Sequence, residues 1–225
     1  MFALTFDTSN PHLSLALLRD NEIIAEFIHQ ERDRHCELLV SKIADLLKQK
    51  NIWYDDLSFI ASTLGPGSFT GTRIALTCAR TINLALNIPL ILPNSLEVVA
   101  HQVQKNQVSP ANLAICLDAG LNEIFFATYH VQNNKISTPQ LVRVSEITQH
   151  DLPSDVIICG NAKTAVKSHF DQLGISSQLY DASNDIVNAN SIAQLSLIKY
   201  ANKEFSHQND PLYLREASVS KPANK

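Results

Sequence analysis

This chain of 225 residues has little cysteine, little glycine and no long apolar run. No stretch approaches the ~20 apolar residues of a membrane-spanning helix, and the first residues alternate like a strand with no basic, signal-like region before them. We therefore expect a soluble, cytoplasmic protein without membrane contacts. Four cysteines, far apart and among apolar neighbours, predict reduced core residues and not a disulfide framework or a zinc site. They are Cys36, Cys78, Cys116 and Cys159.

The chain also lacks an excess of positive charge. It has 18 Lys and Arg and 22 Asp and Glu, which gives a net charge of -4. A protein that binds nucleic acid by itself usually has a basic surface, so any contact with RNA is expected to come through a partner. The hydrophobic fraction of 45% is enough for a sizeable core. The length fits one large domain or two small lobes.

Glycine is scarce, with six residues, yet three of them fall in one short segment. An apolar run at 57–61 precedes this segment and an amphipathic helical pattern follows it, which predicts a strand-to-helix connection. One interpretation is a backbone that approaches a phosphate or another backbone, with positive φ at Gly67 or Gly71. The other is a tight turn that ends in an N-cap, by Ser68 or Thr70. The segment reads Gly65-Pro66-Gly67-Ser68-Phe69-Thr70-Gly71.

A strand-turn-hairpin unit occurs twice. Residues 2–9 form an apolar strand that ends in Asp7-Thr8-Ser9, and residues 113–120 form another that ends in Asp118-Ala119-Gly120. Period-two alternation after each turn predicts a hairpin. Each Asp is open to two interpretations, either holding a magnesium ion across a cleft or capping its own turn, and capping is favoured for Asp118.

The remaining patterns divide the chain into two lobes. We expect an N-terminal lobe at 1–105, a polar hinge at 105–110 and a smaller second lobe at 110–189. In the second lobe a strand meets Gly160 before a helix begins. A final helix at 190–204, capped by Asn190 or Ser191, is expected to rejoin the first lobe, and 205–225 to form a tail.

No catalytic or metal constellation is visible. His35 begins an amphipathic helix, but neither a second imidazole one turn later nor a carboxylate cage accompanies it, so the sequence predicts no metal site. The histidines assemble no Ser-His-Asp or Cys-His order, and no nucleophile can be nominated.

The duplicated Asp-bearing unit resembles the plan of the actin, Hsp70 and sugar-kinase superfamily, an α/β fold with two lobes around a nucleotide cleft. With the glycine-rich segment, the chain is similar to the bacterial TsaB (YeaZ) family. The seven-residue segment is the specific part of this resemblance, and weaker matches run through nearly the whole chain. They are Asp7-Thr8-Ser9, Arg34-His35, Arg73, Asn87-Ile88-Pro89-Leu90, Ser95-Leu96-Glu97, Leu117-Asp118-Ala119 and Pro211-Leu212-Tyr213-Leu214-Arg215. One departure is Gly120, where the family often has Arg.

The resemblance implies a non-catalytic partner of TsaD, which transfers a threonylcarbamoyl group to an anticodon-loop adenosine of tRNA, with the ATPase TsaE completing the assembly. It implies no tightly bound cofactor in the chain alone. Two alternatives stay open at this point: ATP or ADP at the partner interface or no nucleotide there, and a homodimer or a monomer when the chain is free. An active kinase or ATP hydrolase and a glycoprotease-like peptidase are the alternatives. The implied interface residues are His35, Leu39, Val40 and Ile43. The implied remnants of a phosphate loop, or further interface residues, are Asp7, Thr8, Ser9, residues 65–71, Arg73, Asp118 and Gly160.

Overall fold

The computed structural model describes residues 1–30, 34–106, 111–152, 155–181, 185–206 and 210–214. The expected hinge therefore falls largely outside the described residues, as does most of the expected tail. No helix within the described ranges has both the length and the apolar character to cross a bilayer.

The first sheet has five strands in the order β3-β2-β1-β4-β5. Its first three strands form an antiparallel meander, and β1, β4 and β5 run parallel. Residues of β1 and β2 are buried at nearly every position, which fits strands covered on both faces. The strands are β1 Phe2–Asp7, β2 Leu13–Arg19, β3 Glu22–His29, β4 Leu57–Ala61 and β5 Leu90–Ile91.

The second sheet repeats this plan. Its order is β11-β10-β6-β7-β8, with β9 also paired to β7, so β6 stands where β1 stands in the first sheet. The hairpin β6-β7 is antiparallel and β6-β10-β11 is parallel. The duplication read from the sequence is confirmed. The strands are β6 Asn112–Gly120, β7 Glu123–His130, β8 Lys135–Ile136, β9 Gln140–Arg143, β10 Val156–Cys159 and β11 Gln178–Leu179.

Five α-helices cover the sheets within the described ranges, and three apolar cores lie between helices and sheets. One core lies between the first sheet and α1 with α2, a second between the two sheets around α3 and α5, and a third between the second sheet and α4. Although α3 belongs to the expected N-terminal lobe by sequence, it packs on β6 and β7. The helices are α1 His35–Gln49, α2 Phe69–Leu86, α3 Ser95–Asn106, α4 Lys163–Gln172 and α5 Ala189–Ala201.

The last helix differs from its expected bounds of 190–204. Asn188 is the N-cap, because its side chain accepts a hydrogen bond from the Ser191 N–H, so neither Asn190 nor Ser191 caps the helix. The helix packs on β1, β2 and β4 of the first sheet. Thr5 Oγ donates to the Ala189 carbonyl at 2.8 Å, and the Ala189 N–H donates to Ser14 Oγ at 2.9 Å. These bonds fix the start of α5 on the first sheet.

The four cysteines are free thiols, but they are not all core residues. Cys116 and Cys159 are buried, Cys78 is half-buried and Cys36 is exposed. The expectation of a core position is therefore wrong for Cys36, because α1 turns that side chain away from the apolar face formed by Leu39 and Ile43.

Candidate functional site

A cleft of about 770 Å³ separates the two lobes, and both Asp-bearing turns border it. The first lobe contributes the turn after β1, the N-terminal end of α1 and the glycine-rich segment. The second lobe contributes the end of β6 and Asn161, and a C-terminal segment at 212–214 closes one side. Among the described residues that line the cleft there is no Lys or Arg. The cleft thus unites most residues singled out in the sequence, without a cationic wall.

Asp7 is fully buried and its carboxylate is occupied by its own chain. Five donors reach it: the N–H and hydroxyl of Ser9, the N–H and side-chain amide of Asn10, and the Thr63 hydroxyl, at 2.7 to 3.3 Å. A carboxylate offers about four acceptor positions, so these donors saturate it. Asp7 therefore caps its turn and ties that turn to the segment after β4.

The glycine-rich segment packs directly on the turn after β1. The Ser68 N–H donates to the Ser9 carbonyl at 2.8 Å, and the Thr8 hydroxyl donates to the Gly71 carbonyl at 2.6 Å. A Cβ on Gly67 would lie 2.8 Å from the Ser9 carbonyl oxygen, and a Cβ on Gly71 would overlap the Thr8 carbonyl oxygen. These two glycines permit a close approach of two backbones.

Positive φ occurs elsewhere in this segment. Gly65 has a φ of +92°, whereas neither Gly67 nor Gly71 has a positive value, so the positive φ considered for Gly67 or Gly71 in one interpretation does not occur. The strand-to-helix connection itself is confirmed, with Ser68 as the N-cap of α2 through a hydrogen bond that it accepts from the Gly71 N–H at 3.2 Å. Thr70 lies within the first turn of the helix.

The second lobe has a related contact. Asp118 Oδ1 accepts from the Gly120 N–H at 2.9 Å, so this carboxylate caps its own turn as favoured from the sequence. The Asp118 N–H donates to Asn161 Oδ1 at 2.8 Å. Gly160, with φ +99°, lies against Cys116, and a Cβ there would overlap the Cys116 carbonyl oxygen. In both lobes a glycine at the start of a helix thus lets the loop touch the end of the first strand.

An exposed stack at the start of α2 includes two side chains of the cleft lining, Phe69 and Tyr213, with Arg73 outside that lining. The Arg73 guanidinium lies 4.9 Å from the centre of the Phe69 ring, and Phe69 packs on Tyr213 with ring centres 4.9 Å apart. The Leu212 N–H donates to the Leu64 carbonyl at 2.8 Å and fixes the C-terminal segment beside this stack. Sequence reasoning missed the site roles of Tyr213 and Thr63, although the hydroxyl of Thr63 just beyond a buried strand was a visible signal.

His35 lines the cleft and is 7% exposed. Its Nε2 atom is buried with no hydrogen-bond partner among the described residues. No group of three or more metal-ligating side chains occurs in the part of the chain that the structure describes. His35 is therefore a lone imidazole at the N-terminal end of α1.

The residues expected at a partner interface separate into two groups. Leu39 and Ile43 are each 1% exposed and belong to the core between α1, α2 and the first sheet, and His35 is buried as well. Val40 is 60% exposed on the outer side of α1. Leu39, Ile43 and His35 therefore cannot supply surface for docking in this conformation, and only Val40 remains as an exposed member of the expected set.

The outer face of α2 is nearly free of charge. Of the charged residues in this helix, Arg73 lies at its beginning and Arg80 is half-buried near Asp210, at 3.7 Å. Leu84, near the end of this helix, is 81% exposed. The other exposed positions after Arg73 within the helix are Thr77, Thr81 and Ala85.

Comparison with protein families gives one match over most of the chain. The model described as "TsaD: tRNA N6-adenosine threonylcarbamoyltransferase" matches residues 22–209. The tRNA threonylcarbamoyladenosine biosynthesis protein TsaB of Buchnera aphidicola (subsp. Baizongia pistaciae) is 30% identical over 95% of this chain and 97% of its own. The Bacillus subtilis protein of the same name is 34% identical, over 59% of this chain and 57% of its own.

Solved structures agree on the fold. A Pseudomonas aeruginosa protein described by its similarity to peptidase YeaZ superposes with a TM-score of 0.79 at 23% identity, over 95% of this chain and 99% of that one. The inorganic polyphosphate/ATP-glucomannokinase of an Arthrobacter strain superposes with a TM-score of 0.52 at 12% identity, over 90% and 99%. The fold is thus the two-lobed α/β fold of the actin and sugar-kinase superfamily.

Proposed function

We propose a function from one premise: the chain belongs to the TsaB (YeaZ) family, within the wider family that the TsaD model describes. The proposal is that it acts in threonylcarbamoyladenosine biosynthesis in tRNA, as a non-catalytic subunit that binds and activates TsaD. TsaD would transfer the threonylcarbamoyl group from threonylcarbamoyl-adenylate to an anticodon-loop adenosine. TsaE, an ATPase, would complete the assembly. The observation that carries the proposal is the match along nearly the whole length of a TsaB protein.

The geometry of the cleft supports a non-catalytic role. Asp7 has no acceptor position left for a metal ion or a water molecule, and Asp118 caps its own turn. A kinase or a hydrolase of this superfamily needs a carboxylate that reaches its metal or its water, and a peptidase needs a nucleophile or a metal set. The Asp7 carboxylate does not offer the first arrangement, and the described residues hold no group of three metal-ligating side chains. Both observations argue against the enzyme alternatives.

The outer faces of α1 and α2 support the role of a partner subunit. Val40 and Leu84 are exposed apolar side chains, and the exposed positions between Arg73 and the end of α2 carry no charge. Interface cores are depleted in charge and contain apolar anchors, so this surface suits docking against TsaD. In the proposal the same face pairs two copies of the chain when TsaD is absent.

Nucleotide binding belongs to the assembly in this proposal. The cleft lies between the two Asp-bearing turns, as in nucleotide-binding relatives of the fold, but its described lining holds no Lys or Arg to neutralise phosphates. ATP or ADP would therefore bind weakly to the chain alone and be retained at the interface with TsaD. With a net charge of -4, the chain would contact tRNA only through its partners.

Reconstitution tests the proposal. TsaD, TsaE, threonylcarbamoyl-adenylate and tRNA are combined with or without this chain, and modified adenosine is measured by mass spectrometry. We expect at least a tenfold loss of modification when the chain is omitted. Equal modification in its absence would contradict the proposal. Incubation of the chain alone with ATP or with peptides is the control, and turnover there would favour an enzyme alternative.

A further inference from the structure

His35 has a buried ring nitrogen that the proposed function leaves unused. The residue is 7% exposed and lines the cleft, yet its Nε2 atom has no hydrogen-bond partner among the described residues. A buried polar atom without a partner destabilises a fold, so such atoms are rare unless water or a ligand completes them. The cleft is the open volume that this side chain borders, and a ligand there can supply the missing partner.

Two helices begin at this cleft. The first residue of α1 is His35 itself and the first residue of α2 is Phe69, and both belong to the cleft lining. The N-terminal end of a helix carries a partial positive charge and N–H groups without intrahelical acceptors. Two such ends beside an imidazole favour an anion at this wall of the cleft, although the wall has no Lys or Arg.

The first turn of α2 still has N–H groups to offer. The Gly71 N–H donates to the Ser68 hydroxyl, whereas the N–H groups of Phe69 and Thr70 have no acceptor among the described residues. At α1 the N-cap residue, Arg34, makes no side-chain cap hydrogen bond. The chain therefore leaves donors for a ligand at the start of these helices.

The charges around the cleft favour a ligand with one negative charge. A phosphate also binds at helix N-terminal ends, but its second charge is opposed by Asp118 on the other lobe and by the lack of a cation in the described lining. A carboxylate carries a single charge and two acceptor oxygens, which match an imidazole and a few N–H groups. The Asp7 carboxylate is held by five donors of its own chain and is not among the residues that line the cleft.

We propose that His35 and the N-terminal ends of α1 and α2 form a binding site for one carboxylate group. His35 Nε2–H donates to one oxygen of the ligand, and N–H groups of the helix ends donate to the other. Two sources have this chemistry: a free small carboxylate such as acetate, and the threonine carboxylate of a threonylcarbamoyl compound. The site itself is independent of the proposed function, and only the second source rests on that function.

The test follows the histidine ring nitrogens of the isolated full chain by NMR, with His35→Gln identifying the His35 signals. Sodium acetate, N-carbamoyl-threonine and sodium phosphate are titrated separately, with chloride holding the ionic strength constant. We expect both carboxylates to shift the His35 Nε2 signal saturably, and phosphate to bind more weakly. His35→Ala should weaken carboxylate binding about tenfold, the factor that the loss of one hydrogen bond to a charged group gives.

The matched control is His169→Ala, because His169 is a half-buried histidine outside the cleft lining, with its Nε2 atom 3.1 Å from the Ile147 carbonyl oxygen. It should leave carboxylate binding unchanged. A His35 signal that does not saturate, or that responds no more than the His169 signal, would mean an adventitious ion only and overturn the proposal. Binding of acetate by His35→Ala as by the wild type would overturn it too. If His35→Ala folds poorly, the wild-type titration still decides.

The ligands in the titration distinguish the two sources. Tighter binding of N-carbamoyl-threonine than of acetate supports the threonylcarbamoyl source, and equal binding supports a free small carboxylate. Tighter binding of phosphate than of acetate would overturn the carboxylate site. Saturable acetate binding together with a reconstitution that does not need this chain would contradict the proposed function alone.

Discussion

Asp7 accepts five hydrogen bonds from groups of its own chain and caps its turn in this structure. The sequence left capping and magnesium binding open for Asp7, because residue type and spacing are the same in both cases. The contact that favours capping is the Thr63 hydroxyl at 2.9 Å, contributed by a segment 56 residues away. Such a contact depends on the pairing of β1 with β4 and cannot be read from either segment alone.

The glycines of the loop can be ranked by what a side chain would meet. We expect Gly71→Ala to lower the free energy of unfolding by about 3 kcal/mol or more, since its Cβ overlaps the Thr8 backbone and one of the two segments must move. Gly67→Ala should cost less, because its Cβ lies 2.8 Å from the Ser9 carbonyl oxygen. Urea denaturation of each variant measures the effect.

Two variants serve as controls for the loop glycines. Gly174→Ala adds a Cβ in open space at a φ of +71°, so only backbone strain of about 1 to 2 kcal/mol remains. Ser68→Ala removes the N-cap of α2, worth about 1 kcal/mol. If Gly71→Ala proved no more destabilising than Gly174→Ala, the close backbone contact would not be the reason for a glycine at position 71.

The thiols should react in the order of their accessibility. Cys36 is exposed, whereas burial raises the pKa of Cys78 to about 11 and also raises the pKa of Cys116 and Cys159. The thiolate is the reactive form, so at pH 8 we expect iodoacetamide to label Cys36 first, Cys78 slowly and the other two only after unfolding. Peptide mass spectrometry over time measures the order.

The control for this labelling is Cys36→Ser, which should lose the fast phase and keep the rest. Rapid labelling of Cys116 or Cys159 in the folded chain would show that the second sheet opens readily.

The sign of the pH dependence of stability follows from the raised pKa of Cys78. The folded chain keeps the Cys78 thiol protonated to a higher pH than the unfolded chain does. The free energy of unfolding is therefore unaffected by this thiol below its ordinary pKa of 9.0 and falls as the pH rises from there toward 11.

At the scale of elements, the amphipathic helix that begins at His35 was predicted correctly, but the exposure of its individual residues was not. Leu39, Val40 and Ile43 are implied together as interface residues, yet Leu39 and Ile43 are buried while Val40 is exposed. Adjacent positions on a helix differ by about 100°, so residues 39 and 40 point in different directions. The sequence did not show where the sheet would lie, and that position decides which residues enter the core.

The proposed docking face makes a prediction for α2. We expect Leu84→Arg to weaken binding of TsaD by about tenfold, because a charge placed in a desolvated interface loses its hydration. With Leu84 81% exposed, the melting temperature of the free chain should change little. Dissociation constants from calorimetry and co-elution on a sizing column measure the effect.

Leu173→Arg is the matched control, because Leu173 is a leucine 54% exposed at the end of α4, on the other lobe. It should leave TsaD binding unchanged. Val40→Asp, on the neighbouring helix, should act in the same direction as Leu84→Arg. Unchanged binding by both Leu84→Arg and Val40→Asp would exclude this face as the docking surface.

At the scale of the whole molecule, the duplicated plan could be predicted, and so could the return of the last helix to the first lobe, but the position of α3 could not. Each Asp-bearing strand and its hairpin leave local signals, so the two sheets follow from the sequence. The helix α5 packs on the first sheet as expected, whereas α3 packs on the second sheet although it precedes that sheet in the chain. The position of α3 depends on burial between the two sheets, where α3 and α5 share one core, and no local pattern encodes it.

The composition of the cleft gives the last prediction. A triphosphate carries several negative charges, and proteins bind it with Lys, Arg, a metal ion or many free N–H groups. The described lining has no Lys or Arg, Asp118 adds a negative charge, and Asp7 has no free acceptor for magnesium. We therefore expect the isolated chain to bind ATP with a dissociation constant of about 100 µM or weaker, roughly 5.5 kcal/mol or less of binding free energy. Calorimetry with and without Mg²⁺ measures this dissociation constant. The informative variant is Gly120→Arg, which adds a cation at the edge of the cleft. The site has room for a side chain, because a Cβ at Gly120 would meet nothing within 4 Å. That variant should bind ATP more tightly than the wild type, and submicromolar binding by the wild type alone would show that the cleft is a nucleotide site without a partner.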